Sequence, residues 1–223
     1  MKAQNKRLFI LIILLLVLTM TACNSSEGIS ANTEQDELVS GEELGFLTSF
    51  ENLDDWKFYS AYDLDDYEVG NSPLGISISM NHPDDIITAY LNFWYSDVSI
   101  NTYMIFSEGD ADLTFEVVCR SYNDSEYIFA FDMQQYYYVW YYELDAEEYM
   151  ELDKGQSEFS NVNGANSILV DCIGNRLDFT INGAKVSSIF DDKLEGGYVG
   201  FAVETYGEGT ALVYFSYFDA YSR

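Results

Sequence analysis

From Phe46 onward the apolar residues of this chain recur at every second position, a period that fits strands and not helices. Leu113, Phe115, Val117 and Cys119 alternate with Thr114, Glu116 and Val118, as in a strand with one buried face. Ile76-Ser77-Ile78-Ser79-Met80 alternates in the same way. The stretch from Tyr127 to Leu144 is long and rich in strand-forming residues, and it predicts two strands with a bend near Gln134-Gln135. A meander follows: Ser167–Ile173, a tight turn at Gly174-Asn175, Arg176–Ile181, a second turn at Asn182-Gly183, then Ala184–Phe190. Asn-Gly supplies the positive φ angles that two-residue hairpin turns require. Gly197–Glu204 and Ala211–Ala220 complete the set. With two prolines and no helical period, residues 46–223 are expected to form one all-β domain, an antiparallel β-sandwich.

The first 45 residues follow other rules. Lys2, Lys6 and Arg7 precede an unbroken apolar run from Leu8 to Leu18, and Thr19-Met20-Thr21-Ala22-Cys23 comes next. A basic start, a short apolar core and a small-residue exit are the three parts of a secretory signal. The run falls short of the ~20 residues a membrane-spanning helix needs. Residues 24–45 are polar and acidic, with too little apolar surface to offset the entropy of ordering, and are expected to form a disordered tether.

Removing residues 1–22 takes the formal charge from −28 to −31, because it removes three basic residues and leaves 7 Lys and Arg against 38 Asp and Glu. Such a chain is repelled by phosphate backbones, which excludes nucleic acid as a partner, and by anionic head groups. Two cysteines then remain besides Cys23. Cys119 and Cys172 both fall in register with apolar neighbours, so both are expected to face inward, either as free thiols or as a bridge between strands.

Several segments resemble known families. Met20-Thr21-Ala22-Cys23 resembles the lipobox of bacterial lipoproteins, with Met20 where leucine is usual. That resemblance implies cleavage before Cys23, lipidation of Cys23, and a domain held outside the cytoplasm at the cell envelope with the lipid as its sole membrane attachment. The run from Asn166 to Gly183 is similar to the N-x-L-x-V-x-x-x-G-N-x-L-x-x-x-x-N-G pattern of concanavalin A-like jelly-roll domains, in particular the 3-keto-disaccharide hydrolase-like domains of bacterial lipoproteins. Gly196–Phe201 resembles the glycine-containing strand of that group, Val213–Phe218 its closing strand, and Phe50–Trp56 its opening F-x-x-x-x-x-W segment. The resemblance implies a jelly roll over nearly all of residues 46–223. Domains of this shape include sugar-binding modules, glycosidases and adhesion spacers, so it does not fix an activity.

Three constellations bear on function. In Tyr136–Tyr142 one alternating face carries Tyr136, Tyr138, Trp140 and Tyr142, and the other Tyr137, Val139 and Tyr141. Both faces are too apolar to be left in water together. Either the strand is covered on both sides, or one face lines an open side of the sandwich where flat rings stack on sugars. The leading expectation is a non-catalytic carbohydrate-binding domain that takes an oligo- or polysaccharide on Tyr136, Tyr138, Trp140 and Tyr142. Asn92-Phe93-Trp94-Tyr95 joins that surface or the core. The second constellation is Glu143-Leu144-Asp145-Ala146-Glu147, which resembles the E-x-D-x-E strand of laminarinase-type glycosidases and makes Glu143 and Glu147 candidate catalytic carboxylates of a glycoside hydrolase. Its surroundings read better as a hairpin turn. The third is Asp63–Glu68, the best acidic loop for the structural calcium that jelly-roll lectins often hold, although it lacks the glycine and distal glutamate of an EF-hand. No other cofactor is expected. One histidine, His82, and two separated cysteines argue against zinc and against a serine–histidine triad. A structural or protein-interaction domain of the envelope is the remaining alternative.

Overall fold

The computed structural model describes residues 47–223 apart from 49, 51–52, 61–66, 83, 110–111, 144–145, 147, 162–163 and 208. The leader, Cys23, the tether, Asp63–Asp66 and Glu147 lie outside the described residues. Fifteen strands are described: β1 (Leu47–Thr48), β2 (Trp56–Ser60), β3 (Tyr67–Ser72), β4 (Gly75–Met80), β5 (Ile86–Tyr95), β6 (Val98–Gly109), β7 (Asp112–Tyr122), β8 (Ser125–Asp132), β9 (Tyr136–Glu143), β10 (Glu148–Gln156), β11 (Ala165–Ile173), β12 (Arg176–Ile181), β13 (Ala184–Phe190), β14 (Gly197–Tyr206) and β15 (Ala211–Ser222). One 3₁₀ turn, Leu53–Asp55, is the only helical element among the described residues.

Every pairing is antiparallel, and the strands form two sheets. One runs β13-β12-β11-β6-β15-β4-β3, with β1 also on β15; the other runs β10-β9-β8-β7-β14-β5-β2. The chain changes sheet between β1 and β2, β2 and β3, β4 and β5, β5 and β6, β6 and β7, β10 and β11, β13 and β14, and β14 and β15, while β7–β10 and β11–β13 are local meanders. The result is the predicted jelly-roll sandwich.

The core fills the space between the sheets with the apolar set that the alternation marks. Ile76, Ile78 and Met80 meet Leu113, Phe115 and Val117 there, together with Ile168, Val170, Leu177, Phe179 and Ile181. Aromatic residues concentrate at one end: Trp56 lies 5.2 Å from Phe201 and 5.2 Å from Phe218, and Phe201 lies 4.1 Å from Phe215, ring centre to ring centre. Phe50 stacks on Trp56 at 5.4 Å, which gives the opening aromatic pair of the sequence a packing role. Cys119 of β7 and Cys172 of β11 are fully buried and joined by a disulfide that ties one sheet to the other.

Turn chemistry sets the registers. Asn182 and Gly183 have φ of 50° and 80°, the type I′ pattern expected of Asn-Gly. The Asn182 side chain also accepts from the Ser167 amide and donates to Asn166 Oδ1, while Asn166 holds both backbone groups of Asn161. Asn166 and Asn182, two of the three asparagines of the jelly-roll pattern, are therefore braces for the loop that enters β11. Between β8 and β9, Asp132 accepts from the amides of Gln134 and Tyr136, and Gln135 takes φ 66°. This is the bend expected near Gln134-Gln135. Between β7 and β8 the turn is Asn123-Asp124, with φ of 48° and 60°, a mirror-image turn without glycine.

Candidate functional site

β9 places its residues as the alternation requires. Val139 and Tyr141 are buried against the core, and Tyr137 packs on it. Tyr136, Tyr138, Trp140 and Tyr142 point to the outer face of the seven-stranded sheet, and none of them is fully buried. The four expected binding residues therefore share one open face. The Tyr138 and Trp140 rings stack at 4.8 Å and 17°. Tyr149 of β10, 58% exposed, meets Trp140 edge-on at 5.9 Å and Tyr142 at 4.5 Å. The Tyr138 hydroxyl donates to Asp132 Oδ2 at 3.1 Å, so the residue that sets the β8–β9 bend also steadies this aromatic row.

A second aromatic group stands across the same face. Tyr59 of β2 and Tyr90 of β5 meet edge-on at 5.9 Å, and Trp94 of β5 meets Tyr122 at 4.9 Å and Tyr198 of β14 at 5.8 Å. Between the two groups lies a cavity of about 610 Å³ whose lining includes Tyr59, Tyr90, Asn92, Glu126, Tyr142 and Tyr198. Segment 92–95 serves both roles considered for it. Asn92 is exposed at the cavity, Trp94 packs on its wall, Phe93 rests on the core and Tyr95 is buried.

The floor of the face is acidic and lies largely out of water. β7 is the middle strand of its sheet, and the alternation led us to expect one buried face. Its outer residues Thr114, Glu116 and Val118 are buried as well. Glu116 is 6% exposed and faces Ala130 of β8 on one side and Ala202 of β14 on the other. Burial, then the charges of Glu204 and Glu126, push its carboxyl up to about 8. Glu126 is raised by burial, which outweighs the hydrogen bonds it receives from Tyr90, at 2.8 Å, and Ser121. Glu204 accepts from the Tyr206 hydroxyl. Burial first, and the Glu126 charge next, raise the Tyr90 hydroxyl well above the ordinary phenol range. A short charged side chain pointing away from the core normally reaches solvent, so the sequence pattern concealed Glu116; the tyrosines that wall it in come from strands remote in sequence.

A bulge in β7 re-aims the chain at the edge of this site. Arg120 adopts φ 57° and turns inward, 1% exposed, where its guanidinium donates to the carbonyls of Ser96, Leu194 and Cys172 and pairs with Asp97 at 3.3 Å. Burial lowers its pKa, against the opposing pull of Asp97. Ser121 then emerges on the outer face beside Glu126. Gly197 fits this bulge because a Cβ there would lie 2.5 Å from the Arg120 carbonyl carbon.

Of the carboxylates expected for hydrolysis, Glu143 is described, and it does not lie in the middle of a strand. Glu143 is exposed at the end of β9 and pairs with Glu148 across the mouth of the β9–β10 hairpin, while Glu147 lies outside the described residues. On β7 the outer face offers Asp112, Thr114, Glu116 and Val118, and of its two carboxylates only Glu116 is buried. Among the described residues, no group of three or more His, Cys, Asp or Glu side chains is placed to hold a metal ion. The calcium candidate loop is outside the described residues except for Tyr67 and Glu68.

No protein-family profile and no curated protein matches this sequence. Solved structures do. The chain is similar to the carbohydrate-binding module CBM66 from Bacillus subtilis, at 13% identity and a TM-score of 0.58, over 72% of this chain and 91% of that one. It is similar to the Bacillus licheniformis beta-glucanase at 12% identity and a TM-score of 0.61, over 80% and 97%. It is also similar to a Bacteroides ovatus GH16 from a mixed-linkage glucan PUL, in complex with a G4G4G3G product, at 11% identity and a TM-score of 0.60, over 78% and 98%. Identities this low establish shape alone. The chain folds as a concanavalin A-like jelly-roll sandwich.

Proposed function

We propose that this chain is an exported lipoprotein, anchored through Cys23 and raised from the membrane by residues 24–45, whose seven-stranded sheet binds an oligo- or polysaccharide on its outer face. One observation carries the reading: Tyr138, Trp140, Tyr142 and Tyr149 stand in an open row opposite Tyr59 and Tyr90, with a cavity of about 610 Å³ and carboxylates between them. Flat rings offer their faces to the C–H surfaces of sugars, and carboxylates accept from sugar hydroxyls. The structures named above include a carbohydrate-binding module and a glycan-bound protein of the same fold, which supports the reading.

A glycan array probed with the full chain in mild detergent tests this. Binding is expected to at least one glycan class, and Trp140→Ala and Tyr142→Ala are expected to weaken it about tenfold each with little change in melting temperature. No binding to any glycan, or full binding by both variants, would refute the proposal. Non-catalytic action is part of the proposal, and Glu116, a buried carboxyl held protonated near neutrality, is what favours the hydrolytic alternative. New reducing ends on a bound glycan, lost in Glu116→Gln or in Glu143→Gln and Glu147→Gln, would replace binding by turnover. The anchor is checked by labelling with a palmitate analogue, which Cys23→Ser is expected to abolish.

A further inference from the structure

Glu126, Glu116 and Glu204 come from the three adjacent strands β8, β7 and β14, and the charges of the outer two bear on the one between them. Two of the three nearby tyrosine hydroxyls are committed elsewhere. Tyr90 donates to Glu126 and Tyr206 to Glu204, while Glu116 makes no hydrogen bond and no salt bridge to any described residue. Its neighbours across the strands are the methyl groups of Ala130 and Ala202, which supply no donor. A carboxyl left only 6% exposed normally has a donor or a cation as well, because the little surface it keeps restores only part of its hydration. The titratable groups that feel its charge are Glu126, Glu204, and the hydroxyls of Tyr90, Tyr149 and Tyr206, so no cation among them serves it. The aromatic rows border this same spot, since Tyr149 also contacts Trp140 and Tyr142.

We infer that the ligand of this face is a glycan carrying free amines, a polymer or oligomer of unacetylated amino sugars, whose ammonium group docks at Glu116 between Glu126 and Glu204 while its rings lie along Tyr149 and Trp140. The inference rests on the carbohydrate reading of the face and names the class of sugar. An ammonium supplies three donors and a positive charge to carboxyls that share neither among themselves. Aromatic faces beside it add attraction for the same cation. Neutral sugars can donate hydroxyls to Glu116 but bring no charge to the three carboxyls, and anionic sugars are repelled by them.

The test is calorimetry on the full chain in mild detergent at about pH 6, where the sugar amines are charged and Glu116 holds its proton. Three oligomers of equal length are compared: glucosamine, N-acetylglucosamine and a neutral β-glucan, with oligolysine as a charge-only control. Glucosamine oligomers are expected to bind at least about tenfold more tightly than the other three. Their binding is expected to release protons, read as a heat that changes with the buffer's ionisation enthalpy, because a bound ammonium favours the ionised carboxyl. Glu116→Gln and Glu126→Gln, checked for folding by melting temperature, are each expected to lose about tenfold for the glucosamine oligomer, and the first to lose the proton release. Equal or tighter binding of the acetylated or neutral oligomer overturns the amine inference and leaves carbohydrate binding intact. Equal binding of oligolysine, or glucosamine binding unaffected by Glu116→Gln, also overturns it. Binding of no oligomer at all removes both readings.

Discussion

At the scale of single residues, Glu116 is the most consequential side chain described here. Its pKa in the folded chain is about 8 against 4.5 for a free glutamate, so the fold holds that proton more tightly than the unfolded chain does. Below about pH 4.5 both states are protonated and Glu116 costs nothing; as pH rises toward 8 the unfolded chain gains by ionising, and stability falls. Glu116→Gln removes that loss. The variant is expected to be more stable than the parent at pH 8 by roughly 4 kcal/mol and nearly equal to it near pH 4.5, as read from urea unfolding at both values. A parallel pH dependence in the two proteins would show that Glu116 ionises freely. Residue by residue, the expected aromatic set was legible because a strand's period assigns Tyr136, Tyr138, Trp140 and Tyr142 to one side. The burial of Glu116 was not legible, because it depends on which strands lie beside β7, and alternation says nothing about neighbours.

Among elements, β7 carries the most structure for its length. Its inward residues enter the core, its outer residues form the floor of the site, and its bulge at Arg120 ties together the β5–β6 turn, the end of β11 and the segment before β14. Arg120→Ala strands three carbonyls that accept from the guanidinium and is expected to lower stability by about 3 kcal/mol, with an unchanged urea m-value. Arg120→Lys is expected to recover only part of this, since an ammonium cannot span the same acceptors. The glycine-bearing turns and the β11–β13 meander could be read from Asn182-Gly183 and Gly174-Asn175. The β7–β8 turn could not, because Asn123-Asp124 reaches positive φ without glycine. Bulges escape sequence reading for a related reason: one residue out of phase looks like noise in a two-residue period.

For the whole molecule, two sheets face each other across a single core, and the Cys119–Cys172 disulfide is the covalent tie between them. Alternation showed that both cysteines face inward; whether they meet depended on sheet order, which the sequence does not encode locally. The bond closes a loop of 53 residues, and the chain-entropy argument assigns it about 4 kcal/mol. Replacing both cysteines by alanine is expected to lower unfolding stability by that order and to leave glycan binding intact, because neither residue reaches the outer face. A jelly roll exposes two broad sheet faces, and the account assigns the ligand to one of them.

The crystal structure of the chain with a bound oligosaccharide tests that assignment most directly. The account predicts sugar rings against Tyr149 and Trp140, above Glu116 and Glu126. A sugar seated on the eight-stranded sheet, or at the loops of either end with the Trp140 face empty, would contradict it.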